Sequence, residues 1–147
     1  MPEEELARLD WVVASVHNAP ENRPTERVLE AMDNPYVDCI GHLTGRRIGK
    51  RGPRDVDVEK VVEKALATGC FLEINGQPDR LDLRDVHARA AKEAGLKLVV
   101  SSDAHQIRAQ GYVELAVGQA RRGWLTKDDV VNTRTWAQLQ KLRRKKP

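Results

Sequence analysis

Five short apolar runs in this sequence each give way to a polar residue, at His17, His42, Asn75, Asp103 and Thr133. The intervals between these positions are 25, 33, 28 and 30 residues. Hairpin strands can be joined by two residues, whereas parallel neighbours need a crossover of a dozen or more, usually a helix. Intervals of this length therefore predict repeated βα units and a parallel sheet. The text between the runs agrees. Leu9 to Val16 reads as a buried strand, followed by a helix over Pro24 to Met32 with proline at its start and apolar Val28, Leu29 and Met32. Tyr36 to Ile40 leads to Gly41-His42, and Val58, Val61, Val62, Ala65 and Leu66 then carry helical spacing up to a stop at Gly69. Cys70 to Ile74 leads to Asn75-Gly76, with a helix over Leu83 to Ala94 stopped by Gly95. Leu96 to Val100 leads to Ser101-Ser102-Asp103. A helix from about Val113 to Arg122, a short segment at Val130-Val131 and a last helix from Thr135 complete the pattern.

Parallel α/β sheets and barrels carry their chemistry at the carboxyl ends of the strands, where all five polar residues fall. Four or five strands cannot close a barrel of seven or eight. The expectation is one α/β domain over residues 1–147, a partial parallel (βα) barrel whose open edge favours a homo-oligomer or a complementing segment. A hydrophobic fraction of 40% and a charged fraction of 32% fit such a domain and exclude a disordered polyampholyte. No apolar run approaches the roughly 18 residues of a membrane helix, and the acidic start lacks targeting character, so no membrane association and a cytoplasmic location are expected. Cys39 and Cys70 sit inside apolar runs as buried thiols. A net charge of +3 does not by itself imply nucleic-acid binding. The positive charge is clustered, however, in the loop holding Arg46, Arg47, Lys50, Arg51 and Arg54, and in a tail of Lys141, Arg143, Arg144, Lys145 and Lys146 that reads as a solvated, fraying helix end.

Neutral imidazole and carboxylate groups converging on one sheet edge suit a divalent ion such as Zn or Mn. His17, His42, Asp103 and His105 are the candidate metal ligands. A single histidine after a strand is more often a hydrogen-bonded structural residue, and it is the recurrence at strand ends that gives the set its weight. His87 lies among charged helical residues and reads as a surface position. Arg46 and Arg80 leave the same edge and can meet a phosphate bidentately, the alternatives being a solvated loop arginine and a partner for Asp79 or Asp82. Asn75 either lines the site or serves as a turn residue beside Gly76. Glu73, two residues earlier on the same face, can support a ligand from behind. Trp11, Trp124 and Trp136 read as core or helix-packing residues.

The segments ASVH, DCIGHLTGR, FLEINGQPDRLDL, HARAAKEAG, VVSSDAH and VGQARRGWL resemble the C-terminal part of the PHP (polymerase and histidinol phosphatase) domain. The likeness is strongest to the PHP domain attached to bacterial X-family DNA polymerases. It implies the C-terminal portion of a distorted (βα)7 barrel that binds up to three metal ions and hydrolyses phosphoesters, in polymerase-linked members as a 3′–5′ exonuclease or DNA-end processor. By the same resemblance His17 and His42 match ligands of one ion, Asp103 of a second and His105 of a third. The family's His-x-His motif, a later Asp-His pair and a bridging Glu would fall upstream of Met1. Four ligands spread over three ions complete none of them, so the isolated chain is expected to be weak or inactive without that N-terminal segment, in cis or in trans. The expected substrate is a DNA end or another phosphoester. A non-catalytic metal-binding or interaction module and a small-molecule phosphatase are the alternatives.

Overall fold

The computed structural model describes residues 2–18 and 22–144. After a short helix α1 (Glu3–Ala7) the chain runs β1 (Val13–Ala14), α2 (Pro24–Asp33), β2 (Cys39–Ile40), α3 (Val58–Thr68), β3 (Phe71–Asn75), α4 (Asp85–Glu93), β4 (Leu98–Ser101), α5 (Val113–Arg122) and α6 (Trp136–Leu142). The strands form one parallel sheet in the order β1-β2-β3-β4, with Val13 opposite Cys39, Ile40 opposite Leu72 and Ile74 opposite Val100. Each step across the sheet uses one helical crossover, as the long intervals require.

The period of two along the strands divides the side chains between two faces. Ile40, Leu72, Ile74, Leu98 and Val100 join Val28 and Met32 of α2, Val61 and Ala65 of α3, Ala88 and Ala91 of α4, and Ala116 and Ala120 of α5 in the main core. On the other face Cys39 and Phe71 pack with Val131, Leu139 and Trp11. Farther along that face, Glu73, Asn75 and Ser101 replace the apolar residues, so one side of the sheet changes from greasy to polar toward the carboxyl ends. Both cysteines are buried free thiols; burial pushes Cys39 well up and Cys70 up to about 12.

Three expectations need correction. The first run is no buried strand over Leu9 to Val16: only Val13 and Ala14 pair, and Leu9 and Val13 are 45% and 50% exposed. As the outermost strand it has a neighbour on one side only among the described residues, so Val12 is buried while Trp11, Ala14 and Val16 are only partly covered. Val130-Val131 is no strand either. Val130 makes a single parallel bridge to Leu98, and the chain then turns into a short 3₁₀ segment. There the side-chain amide of Asn132 accepts from the Val100 N–H (3.1 Å) and donates to the Val100 carbonyl (2.7 Å), standing in for a strand's backbone.

The third correction concerns the basic tail. Arg143 Nε lies 2.8 Å from Asp38 Oδ1, and its guanidinium is 5.5 Å and 5.6 Å from the rings of Trp11 and Trp136. Arg144 donates to the carbonyls of Met32 (2.8 Å), Asn34 (2.6 Å) and Val37. These two arginines clasp the turn between α2 and β2 rather than fraying into solvent. Lys141 is exposed, and Lys145 and Lys146 lie outside the described residues. The carboxylate that Arg143 meets does double duty, because Asp38 Oδ2 also accepts from the Val12 N–H at 2.8 Å and so holds β1 to β2.

Asp82, fully buried, fastens the loops at the opposite, carboxyl end. Its Oδ2 accepts from the Gly45 N–H (2.7 Å), tying the β2–α3 connection to the β3–α4 connection, and its backbone pairs with Asn75. Burial pushes this carboxyl above the ordinary range, against the opposing pull of the N–H groups donated to it.

Removing the Asp38 carboxylate leaves the buried Arg143 charge unpaired, so Asp38→Ala is expected to cost about 3–5 kcal/mol in urea unfolding, and Lys141→Ala almost nothing. For Asp82 the native state holds its proton more tightly than the unfolded chain. The stability linked to that proton is fully present below the unfolded value of about 3.9 and is lost as the pH rises through the higher folded value. Asp82→Asn keeps an acceptor for Gly45 without the charge. It is expected to melt above the parent at pH 7, with the difference closing as the pH falls toward about 4; a parent that is the more stable at neutral pH would contradict this.

Candidate functional site

His42 is placed by the backbone on either side of it. Gly41 leaves little room beside β1, since a Cβ there would sit 3.0 Å from Val13 Cγ1 and 3.3 Å from Glu73 Oε2. His42 takes a left-handed conformation (φ 29°), which costs a non-glycine residue energy, and its N–H donates to Glu73 Oε2 at 2.6 Å. The turn swings the imidazole toward β1, whose end carries His17. The ring centroids are 5.2 Å apart with their planes at 59°. His17 is exposed, its Nε2 2.6 Å from Ser15 Oγ, whereas His42 is buried. Burial disfavours the His42 imidazolium, and the Arg80 charge adds to this while the Asp103 carboxylate opposes it. The neutral ring so favoured is the form that ligates metals.

Asp103, beyond β4, also adopts a left-handed conformation (φ 50°), and its carboxylate lies 3.6 Å from Arg80 Nε. Gln77 fixes this turn by donating to the carbonyls of Ser102 (3.0 Å) and Asp103 (2.6 Å). The His105 ring is 85% exposed, with Nδ1 2.9 Å from the Asp103 carbonyl. A cavity of about 390 Å³ opens here, lined by Arg47, Gln77, Arg80, Asp103, His105 and Tyr112 among others. Gly76 permits its shape: the Tyr112 carbonyl passes so close that any Cβ would overlap it.

Among the remaining residues singled out from the sequence, Asn75, Arg46, Arg80 and Glu73 have structural partners. Asn75 is fully buried, its Oδ1 accepting from the Gln77 N–H (2.9 Å) and its Nδ2 donating to Glu73 Oε2 (3.1 Å). It shapes the turn and offers no surface to a ligand. Arg46 spends its guanidinium on the carbonyls of Arg80 and Leu81, both at 2.5 Å, and so holds two loops together. Arg80 meets neither Asp79 nor Asp82 but Asp103, and Asp79 pairs instead with Arg47 at 2.7 Å. Glu73 supports His42 through the backbone rather than the ring. His87 is not a surface residue: it is half-buried, and burial lowers its basicity. Trp124 is no core residue either, being 64% exposed beneath the Arg89 guanidinium at 3.7 Å.

The chemistry of the donor set is only partly that of a metal centre. His42 Nδ1 is buried and has no hydrogen-bond partner among the described residues, and a second imidazole stands beside it, as a cation would require. Among the described residues, however, no three His, Cys, Asp or Glu side chains converge on one point. Structural and catalytic zinc sites take at least three protein ligands, so His17 and His42 make a pair and not a complete set. Reasoning from sequence overlooked Asp82, Gln77 and the buried Arg54. Nothing in the local pattern of charged residues separates the ones that fold inward from those that stay wet.

No protein-family model matches the chain. It is 41% identical over 133 residues to the DNA polymerase/3′-5′ exonuclease PolX of Bacillus subtilis (strain 168), an alignment covering 88% of this chain and 23% of the relative. It is 36% identical over 145 residues to a protein named as a probable phosphatase in Thermoanaerobacter sp. (strain X514), covering 90% and 57%. A probable phosphatase of Aliivibrio fischeri (strain ATCC 700601 / ES114) is 26% identical over 147 residues, covering 92% and 57%. The chain therefore spans little more than half the length of these phosphatases and under a quarter of the polymerase. It is a homologue of both, with a four-stranded parallel sheet and a polar strand-end site.

Proposed function

We propose that the chain is the C-terminal portion of a PHP-type, metal-dependent phosphoesterase that acts on DNA ends. The observation that carries this reading is the pairing of His17 with His42 at adjacent strand ends, with the buried Nδ1 of His42 left for a ligand. The names of the homologous proteins, a polymerase/3′-5′ exonuclease and probable phosphatases, support phosphoester hydrolysis as the chemistry. The polymerase alignment has the higher identity of these and favours a DNA end over a small phosphate. In this reading Zn or Mn would be held by His17 and His42, with Asp103 and His105 contributing across the mouth. The metal would supply an activated water and polarise the phosphoryl oxygen.

The chain's own groups set the stage for that chemistry. Burial and the Arg80 charge favour the neutral form of His42. Arg80 in turn is held to Asp103 at the rim of the cavity, where a guanidinium fork can exchange a carboxylate for a phosphate. Arg47 lines the same cavity and adds a second cation. Arg46 positions the Arg80 loop from behind and is not itself the phosphate clamp. Ligands missing from the donor set would come from a segment pairing along β1, whose outer side meets no strand among the described residues. A second copy of the chain at that edge would serve as an oligomer contact. Among the described residues no helix is long and apolar enough to cross a membrane.

The geometry also favours a second reading, because two convergent imidazoles without a third ligand describe a weak metal-binding module as well as half of an enzyme. Activity separates the two. Residues 1–147 alone are expected to show no Mn-dependent 3′–5′ exonuclease activity above background, and activity should appear when the upstream portion of a homologous PHP domain is supplied in cis or in trans. In the reconstituted protein His17→Ala and Asp103→Ala are expected to reduce kcat by more than about 100-fold, as loss of a group that stabilises transition-state charge does, whereas Arg80→Ala should chiefly raise KM. Reconstitution that restores metal uptake without hydrolysis would favour the binding module. Elemental analysis of the isolated chain after dialysis is expected to find less than one tightly held Zn or Mn per monomer; two or more would contradict an incomplete site.

A further inference from the structure

We infer that Arg54 is a positioning residue for His17, a role that rests on His17 and His42 forming one site. The end of β1 needs such a residue. Only Val13 and Ala14 join the sheet ladder, so the stretch from Ser15 to His17 runs on beyond the last pair at an outer edge. The Arg54 guanidinium reaches across from the β2–α3 connection and donates from Nη2 to the Val16 carbonyl at 2.6 Å, one residue before His17. Among the described residues two further contacts hold this stretch, the Ser15 hydroxyl 2.6 Å from His17 Nε2 and Arg27 of α2 donating to the Asn18 carbonyl at 2.6 Å, both in exposed settings where solvent competes.

Arg54 is itself held on the His42 side. It is 7% exposed, a burial that a permanently charged group tolerates only with fixed partners. Its backbone N–H donates to the Thr44 carbonyl at 2.8 Å. Its guanidinium lies flat against Gly45, so close that a Cβ at that position would overlap it, and Gly45 has φ 57°. Gly45 in turn donates to the His42 carbonyl's side of the turn (N–H to His42 O, 2.9 Å) and to the buried Asp82 carboxylate. One guanidinium therefore touches the turn that aims His42 and the carbonyl that precedes His17. This gives the glycine a reason beyond turn geometry, since it is the floor on which the arginine lies. Arg54 stood in the sequence as one of five cations in a loop, and its burial separates it from the exposed Lys50 and Arg51.

The test is imidazole NMR of the full chain together with titration of Zn(II) alone. The parent should show slowly exchanging Arg54 Nη protons and a ring-to-ring nuclear Overhauser effect between His17 and His42. In Arg54→Met the ring-to-ring effect should vanish and the apparent Zn(II) affinity fall 10- to 100-fold, as for loss of other groups that orient metal ligands, while His87 signals stay in place. A general loss of packing would disturb His87 as well. Gly45→Ala, which displaces the guanidinium without removing its charge, should reproduce the loss, and Arg54→Lys should recover part of it. A folded Arg54→Met or Gly45→Ala chain that keeps both the ring contact and the Zn(II) affinity overturns the proposal. So do rapidly exchanging Arg54 Nη protons in the parent, however the variants fold. A parent that binds no Zn(II) would sink the metal reading instead, and the ring contact alone would then decide the role of Arg54.

Discussion

A single buried carboxylate, Glu73, is the point on which the strand ends depend. It sits near the end of the central strand β3 and accepts from the His42 N–H, the Asn75 side chain and the Ser101 hydroxyl, so the ends of β2, β3 and β4 all converge on it. Sheet hydrogen bonds align strands along their length but leave the last residues of each strand to be organised by something else. A charge buried at that level needs several donors at once, and meeting the need draws three chain segments to fixed positions. The left-handed turn at His42 is strained by itself, and the short charge-assisted bond to Glu73 offsets that strain. The imidazole's direction is thus a by-product of satisfying a carboxylate.

The two ends of the sheet are built on the same plan with different partners. At the amino end Asp38 takes the Val12 N–H and Arg143, and the last described residues of the chain wrap back over the start of β2. At the carboxyl end Asp82 takes Gly45, Glu73 takes His42, and Arg54 lies between the connections. Amino-end contacts bind distant parts of the chain, and carboxyl-end contacts bind loops to one another. The division matches parallel α/β architecture, in which one rim carries stability and the other carries chemistry.

Much of this was legible in the sequence because periodicity is a property of the residues themselves. The intervals between polar strand ends gave a parallel sheet, the helix over Val113–Arg122 lies where it was expected, and the last helix begins at Thr135, whose side chain caps it. That His17 and His42 belong together was implied by the family resemblance, and their rings lie 5.2 Å apart. What failed to show was the fate of individual charges. Arg46 read as a phosphate clamp or a solvated loop residue, Arg54 as one of five loop cations, and Arg143 and Arg144 as a solvated tail, yet each reaches backbone carbonyls or a carboxylate from a segment far away in sequence. Burial of a guanidinium depends on what another segment brings to it, and no local pattern encodes that. The Val130 segment misled for a related reason: apolar residues of strand type are present, but a side-chain amide completes the pairing.

The Asn132 amide has a consequence for assembly. By taking both backbone groups of Val100, next to the bridge from Val130 to Leu98, it fills the hydrogen-bonding positions on the outer side of β4. That border is sealed, whereas the β1 border, where Val13 is half exposed, meets no strand among the described residues and is open there. Endless stacking of sheets into a fibre needs two borders that can join, one on each side of every copy. A molecule with one sealed and one open side can join another only open side to open side, and a pair made in that way has no free border left. Growth by sheet extension stops at two.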